Sequence, residues 1–249
     1  MHHFFNKEVI DVQEGDLVNG GWSPNCWKYA DNSAYNQATL NVGPNGTVDL
    51  WDGTMNVGGI TGDIDGDNHG LIMSNNNGHL VVGMGMDSEK TFVYNGDLTL
   101  NENRSFTKEG ETTQKFMGTY TNLGVTNANN GTLEFSGNTT LGTVNFNGDG
   151  KIDVTDGTLT FAKSINLTPT IPLTIDSDVV VIADPGNDGE QVVAQAYNDS
   201  GATPLKLNNR VIVRSGYFRT VNVSSDTKLE LDGGTLQNNG TGRWREAQF

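Results

Sequence analysis

Several common protein classes are excluded by what this 249-residue chain has little of. It contains a single cysteine, Cys26, so no intrachain disulfide can form and a disulfide-stapled scaffold is excluded. It has 15 Lys and Arg against 30 Asp and Glu, which gives a formal net charge of -15. This acidic balance argues against nucleic-acid binding and against docking on anionic membranes, because both require clustered basic residues.

Long apolar runs and helical periodicity are also missing. No apolar stretch approaches the roughly 18 residues of a membrane-spanning helix, so we expect no membrane insertion. The N-terminus, MHHFFNKEV, lacks the basic-then-apolar pattern of a signal peptide, so either a signal has been removed or the chain is a fragment of a longer protein, and we favour the fragment. Hydrophobic residues make up only 35% of the chain. They alternate regularly with polar residues, which favours ordered β-structure over disorder.

A five-residue phrase recurs along the chain. It consists of Gly, a small or polar residue, and then an apolar, a polar and an apolar residue, which predicts a turn followed by a short strand with one buried face. Its copies are GTVDL (Gly46–Leu50), GTMNV (Gly53–Val57), GHLVV (Gly78–Val82), GDLTL (Gly96–Leu100), GTLEF (Gly131–Phe135), GTVNF (Gly142–Phe146), GKIDV (Gly150–Val154), GTLTF (Gly157–Phe161) and the degraded GTLQN (Gly234–Asn238).

Repetition of one such unit predicts an all-β fold built by stacking, a parallel β-solenoid of about 20 residues per rung. The apolar residues of each phrase are expected to point into one continuous core. They include Val48 and Leu50, Leu133 and Phe135, and Leu159 and Phe161.

The chain divides into three predicted regions. Residues 1–35 are aromatic and aperiodic, which is typical of an irregular N-terminal cap over the first rung. Residues 36–161 carry the repeats, except that the charged stretch Asn101–Thr121 alternates poorly and is interpreted as an excursion or long hairpin. Residues 162–249 are predicted to form less regular rungs or, alternatively, a β-sandwich-like C-terminal part.

The repeats resemble those of bacterial autotransporter passenger domains and of autotransporter-associated β-strand repeat proteins. The resemblance rests on NQATLNVGPNGTVDLWDGTMNVGG (Asn36–Gly59) and on SGNTTLGTVNFNGDGKIDVTDGTLTF (Ser136–Phe161). It implies a right-handed parallel β-helix, display outside the cell on a bacterial surface, and an adhesive or scaffolding role. The partners that we expect are other copies of the chain, flanking repeats of a longer protein, glycans or a host surface.

The segment NFNGDGKIDVTD, Asn145–Asp156, matches the spacing of an EF-hand or dockerin-type calcium loop. The oxygen ligands would come from Asn145, Asn147, Asp149, the carbonyl of Lys151, Asp153 and Asp156, with Gly150 in the sharp turn. Asn at the first position and Asp at the last depart from the usual pattern. Calcium is therefore the one cofactor that we consider. The alternative interpretation is a strand, a Gly-Asp-Gly corner and the next strand.

A second acidic cluster lies in GDIDGDNHG, where Asp63, Asp65 and Asp67 alternate with other residues. Carboxylates this close repel one another unless a cation neutralises them, so this segment is a second metal-site hypothesis beside that of a solvated acidic loop.

Patterns that would indicate catalysis are sparse, and the expected function is non-enzymatic. His69 and His79 have no Ser or Cys beside them in a nucleophile motif. Arg210, Arg214 and Arg219 could form an anion-facing patch of a lyase-like β-helix. Exposed aromatic residues such as Trp51 could stack on sugar rings. The alternatives are therefore a carbohydrate-binding or carbohydrate-active β-helix, or a subunit of a self-assembling fibre.

Overall fold

The computed structural model of the protein describes residues 9–18, 37–51, 53–74, 76–86, 89–167, 171–186, 191–194, 209–220 and 228–238. These residues lie in strands, in turns and bends, or in irregular connections, and none of them lies in a helix. Within the same ranges there is accordingly no helix long and apolar enough to cross a membrane.

The strands are short, as the five-residue phrase predicts. In chain order they are β1 (Val9–Val18), β2 (Thr39–Asp49), β3 (Thr54–Val57), β4 (Gly59–Thr61), β5 (Ile64–Asp65), β6 (Asn68–His69), β7 (Leu71–Ser74), β8 (His79–Val82), β9 (Thr91–Tyr94), β10 (Asp97–Leu100), β11 (Ser105–Lys108), β12 (Thr113–Phe116), β13 (Tyr120–Ala128), β14 (Thr132–Phe135), β15 (Thr139–Phe146), β16 (Lys151–Val154), β17 (Thr158–Phe161), β18 (Ile165–Leu167), β19 (Leu173–Ile175), β20 (Val180–Ala183), β21 (Gln191–Ala194), β22 (Arg210–Val213), β23 (Tyr217–Thr220), β24 (Lys228–Leu231) and β25 (Thr235–Asn238).

These strands stack in parallel into a β-solenoid, which confirms the predicted fold class. The longest sheet runs β1-β2-β7-β10-β13-β15-β17-β20-β22-β24, and β3, β8 and β11 join it as a branch through β13. A second sheet runs β19-β16-β14-β12-β9, and a third runs β18-β21-β23-β25. Only the hairpin β5-β6 pairs antiparallel among the described strands.

The register shows the predicted rung length of about 20 residues. Leu98 faces Tyr120, Tyr120 faces Thr139, and Thr139 faces Leu159. Residues at one position of successive rungs therefore form a row along the solenoid. Because parallel strands lie about 4.8 Å apart, neighbours within a row are separated by that distance.

One apolar core fills the interior of the stack. Val48, Leu50, Leu133, Leu159 and Phe161 are fully buried, as predicted, whereas Val144 and Phe146 of the GTVNF phrase are only partly buried. At the centre, the Phe116 ring lies 6.1 Å from that of Tyr94, 5.5 Å from Phe106, 5.0 Å from Tyr120 and 5.7 Å from Phe135, measured between centroids. These aromatic residues come from β9, β11, β12, β13 and β14 and connect successive rungs.

The interpretation of Asn101–Thr121 as an excursion is wrong. Its strands β11 and β12 pair in parallel with the rungs on both sides, and its aromatic residues lie in the core. Alternation looks poor because Lys108, Thr112 and Gln114 occupy inward positions and are buried. Buried polar groups of this kind require hydrogen-bond partners.

Two of these polar side chains bond to backbone groups, both within their own rung and on other rungs. The Lys108 ammonium donates to the carbonyl oxygens of Glu109 at 2.6 Å, Gly110 at 2.9 Å and Asn130 at 3.3 Å. The Gln114 amide donates to the carbonyl of Ile60 at 3.0 Å, and its oxygen accepts the Ile60 N–H at 2.8 Å. A single bridge, from Gly62 to Tyr94, links the segment after β4 to β9. The N–H and the carbonyl of Ile60 on β4 therefore bond to the Gln114 side chain and not to a neighbouring strand.

At both ends, strands in the less regular regions continue the stack. In the predicted cap, β1 pairs in parallel with β2, while residues 1–8 and 19–36 lie outside the described residues. In the C-terminal region, β20, β22 and β24 extend the longest sheet in parallel. The described part of 162–249 therefore consists of further rungs and not of a β-sandwich.

Candidate binding surfaces

The predicted calcium loop spans a strand, a corner and the next strand. Asn145 lies at the end of β15, whereas Lys151 and Asp153 lie on β16 in a different sheet. The left-handed turn residue is Gly148, with a φ of 53°, and not Gly150 as predicted. Gly150 is required for another reason: a Cβ there would lie 2.1 Å from the carbonyl oxygen of Ala128. The segment thus adopts the strand–corner–strand form that the alternative interpretation describes.

Two of the predicted ligands belong to ladders of side-chain hydrogen bonds. The amide of Asn145 donates to Asn127 at 2.9 Å, and Asn127 in turn donates to the Thr107 hydroxyl at 3.1 Å. The amide of Asn147 likewise donates to Asn129 at 2.9 Å, which donates to Glu109 at 2.6 Å. These ladders join three successive rungs on the outside of the solenoid. They give Asn at these positions a structural role whether or not calcium binds.

The calcium site at Asn145–Asp156 remains a prediction. Across the part of the chain that the structure describes, no three His, Cys, Asp or Glu side chains form a group suited to a metal ion. Asp149 is exposed at the corner, and the Asp156 carboxylate accepts the backbone N–H of Gly157 at 2.7 Å.

Calcium titration followed by thermal unfolding tests this prediction. Calcium that binds the folded chain and not the unfolded chain would raise the melting temperature. At a calcium concentration of 100 times Kd, the free energy of unfolding would rise by about 2.7 kcal/mol. We expect Asp149→Ala to abolish any such increase and the distant variant Asp176→Ala to retain it. An unchanged melting temperature at millimolar calcium would contradict the prediction.

The second acidic cluster forms the tip of the β5-β6 hairpin. Asp63, Asp65 and Asp67 are exposed there, around Gly66 with its φ of 60°. The hairpin is fastened to the longest sheet by His69, whose Nε2 lies 2.8 Å from the Asp97 carboxylate. The other Asp97 oxygen accepts the Thr119 N–H at 2.7 Å. This cluster is a solvated acidic turn, and metal binding by it stays a prediction.

A row of threonines lies on the outside of the longest sheet. Thr99, Thr121, Thr140 and Thr160 occupy one outward position of β10, β13, β15 and β17. We call them the threonine row. Within the described ranges, none of the four hydroxyls makes a hydrogen bond to another protein group. The row therefore presents regularly spaced donors and acceptors to solvent.

A polar groove lies at the corner that leads from β11, β13 and β15 into β12, β14 and β16. Its volume is about 590 Å³, and its walls carry the side chains of Glu111, Asn130, Thr132, Asp149 and Lys151. We call it the corner groove. The glycines at 131 and 148, with φ of 65° and 53°, leave its floor free of side chains. A Cβ at Gly131 would lie 2.8 Å from the buried Lys108 Nζ, so this ammonium sits directly beneath the floor.

One pair that the sequence did not reveal is His79 with Ser105. The two residues are neighbours in the register of β8 and β11, and His79 Nδ1 lies 2.9 Å from the Ser105 hydroxyl oxygen. They lie 26 residues apart because the connection from β8 to β9 lengthens this rung. A hydroxyl paired with an imidazole is the starting arrangement of a nucleophile and its base.

Two of the arginines considered for an anion-facing patch pair with carboxylates of the next rung. Arg210 forms a bidentate pair with Glu230, with distances of 2.9 and 2.6 Å. Arg214 lies 3.9 Å from the Asp232 carboxylate. The side chain of Arg219 lies outside the described residues. The positive charge that an anionic substrate would require is thus already paired with protein carboxylates at two of the three positions.

Of the aromatic residues considered for sugar stacking, Trp51 is 38% exposed at the corner after β2.

Comparison of the chain with protein-family models, with curated proteins and with solved structures finds no match. The class of the protein, a parallel β-solenoid, therefore rests on the strand pairing and the rows described above.

Proposed function

We propose that this chain is a structural and adhesive module of a bacterial surface protein, displayed outside the cell, and that it acts by binding and not by catalysis. The observation that carries the proposal is the threonine row, four like side chains repeated over consecutive rungs. A surface of this kind offers many identical weak contacts. Such contacts combine into strong attachment when a partner is itself repetitive.

The composition supports placement outside the cell. The chain is acidic and rich in Gly, Asn and Thr, and its repeats resemble those of autotransporter passenger domains. Its partners in this proposal are other copies of the chain or flanking repeats, and glycans or a host surface. Neither nucleic acid nor a lipid bilayer is proposed as a partner, given the net charge of -15.

Beads that carry the whole chain at graded density test the adhesive role. We expect bead–bead or bead–glycan attachment that rises steeply with density, because multivalent binding depends on the number of simultaneous contacts. The double variant Thr121→Glu, Thr140→Glu should reduce attachment at least tenfold, since it places like charges on the row. The matched control is Thr54→Glu, Asn56→Glu on β3. It adds the same charge on the branch formed by β3, β8 and β11, away from the strands that carry the threonine row. Equal loss in both variants, or no attachment at any density, would contradict the proposal.

The pair of Ser105 and His79 supports one alternative, a hydrolase that uses Ser105 as nucleophile. A fluorophosphonate probe labels an activated serine and leaves an ordinary one unmodified. We expect no labelling of Ser105, and no new reducing ends or unsaturated products from a panel of acidic and neutral polysaccharides. Labelling or product release that is lost in His79→Ala would establish catalysis and overturn the non-enzymatic proposal.

A further inference from the structure

We infer that the corner groove is a binding site for a neutral pyranose sugar of a glycan. This inference rests on the adhesive function proposed above and assigns it a ligand class and a location. The groove crosses the same corner of consecutive rungs, and its volume of about 590 Å³ lies within the range of small-ligand sites.

Four of the five polar side chains on the walls of this groove are not engaged elsewhere, and the fifth, Asn130, donates to the Glu109 carboxylate at 3.3 Å. The hydroxyl of Thr132, the carboxylates of Glu111 and Asp149 and the ammonium of Lys151 have no hydrogen-bond or ion-pair partner within the residues that the structure describes. This distinguishes the groove from the neighbouring outward positions, where Asn127, Asn129, Asn145 and Asn147 are joined in ladders. Unpaired donors and acceptors that line one concave surface are what a polar ligand requires.

The combination of groups selects hydroxyl-bearing ligands. Each sugar hydroxyl both donates and accepts a hydrogen bond. Carboxylates at Glu111 and Asp149 accept from such hydroxyls, while Lys151 and Thr132 can donate to them. An anionic sugar fits less well, because the two exposed carboxylates outnumber the exposed ammonium and the chain is acidic overall. The Lys108 ammonium below the floor directs its hydrogens to three carbonyl oxygens and is not available to the ligand.

The backbone explains why this corner is open. At positions 131 and 148 the positive φ values exclude most side chains, and at Gly150 a Cβ would meet the carbonyl of the rung below. Three glycines on two successive corners thus form a floor without side chains. Glu111 from the rung below and Pro172 from the rung above also line the groove.

Saturation-transfer NMR with the whole chain tests the site. The probes are the neutral oligosaccharides maltotetraose, cellotetraose and mannotetraose, each at millimolar concentration and each with and without a calcium chelator. We expect transfer to at least one of them with chelator present. Glu111→Gln combined with Asp149→Asn should weaken binding at least tenfold, which corresponds to a loss of about 1.4 kcal/mol or more, because both charged acceptors are removed.

The control variant is Glu102→Gln, an exposed carboxylate that does not line the groove and is paired with Lys163 at 3.2 Å. It should bind as the unmodified chain does, and thermal unfolding of all variants confirms that they are folded. No transfer to any probe, equal binding by the double variant, or binding of calcium alone would overturn the sugar site. If the beads still attach in that case, only the groove assignment fails and the adhesive function stands.

Discussion

Replacing Phe116 by Ala is expected to destabilise the solenoid by about 3–5 kcal/mol, the largest effect of any single substitution considered for this protein. Its ring contacts four aromatic rings that come from four other strands. Removing it therefore leaves a cavity bounded by residues of successive rungs. Such a cavity cannot close by moving one strand, because each strand is held in register by parallel pairing on both sides.

Chemical denaturation followed by circular dichroism measures this loss. Val93→Ala on β9 is the matched control, since Val93 is 38% exposed on the outward side of the same sheet. Its effect should stay within about 0.5 kcal/mol. If both substitutions cost the same, the aromatic residues would not form the central packing contact of the core.

The second large effect is expected at Lys108, and it depends on pH. Burial lowers the pKa of the Lys108 ammonium to about 8, against the opposing influence of Glu109. Below pH 8 the lysine is protonated in both the folded and the unfolded chain. Between pH 8 and the unfolded pKa of about 10.5, the unfolded chain binds more protons, so this lysine adds stability as pH rises. The gain approaches about 3 kcal/mol at the upper end of that range.

The comparison with Lys108→Met isolates this contribution. The variant leaves three carbonyl oxygens without their shared donor, and we expect it to lose about 2 kcal/mol at pH 7. The difference in the free energy of unfolding from the unmodified chain should grow as pH rises from 8 to 10. Burial also raises the pKa of Tyr94 and Tyr120, so above pH 10 both proteins lose stability as tyrosines ionise in the unfolded chain. The control Lys151→Met should show neither effect, and a pH-independent difference for Lys108→Met would contradict the prediction.

The sequence was sufficient to predict the strands that carry the recurring phrase. In each such strand, a glycine at the turn is followed by apolar and polar residues that alternate, because successive side chains point into the core and out to solvent. It was not sufficient for β11 and β12, where Lys108 and Gln114 stand at inward positions. Their hydrogen-bond partners are backbone groups up to 54 residues away, at Ile60, and local periodicity carries no information about them.

The candidate sites were harder to predict than the fold for the same reason. The spacing in Asn145–Asp156 matches a calcium loop, yet the structure uses two of its amides to join rungs. The pair of His79 and Ser105 and the walls of the corner groove depend on which residues the register places side by side. That register depends on the length of each connection. A single sequence shows a connection of irregular length but not the pairing that results from it.

The side chain of Gln114 also determines how the solenoid comes apart. In a stack where each rung contacts only its neighbours, unfolding can proceed rung by rung from an end. Gln114 on β12 bonds to Ile60 on β4 and also donates to the Phe92 carbonyl at 3.4 Å, so one amide couples three rungs. Fraying that begins at β1 and passes through β2 must break this coupling before β9 is released. The rungs from β4 to β12 are therefore expected to open as a single cooperative unit.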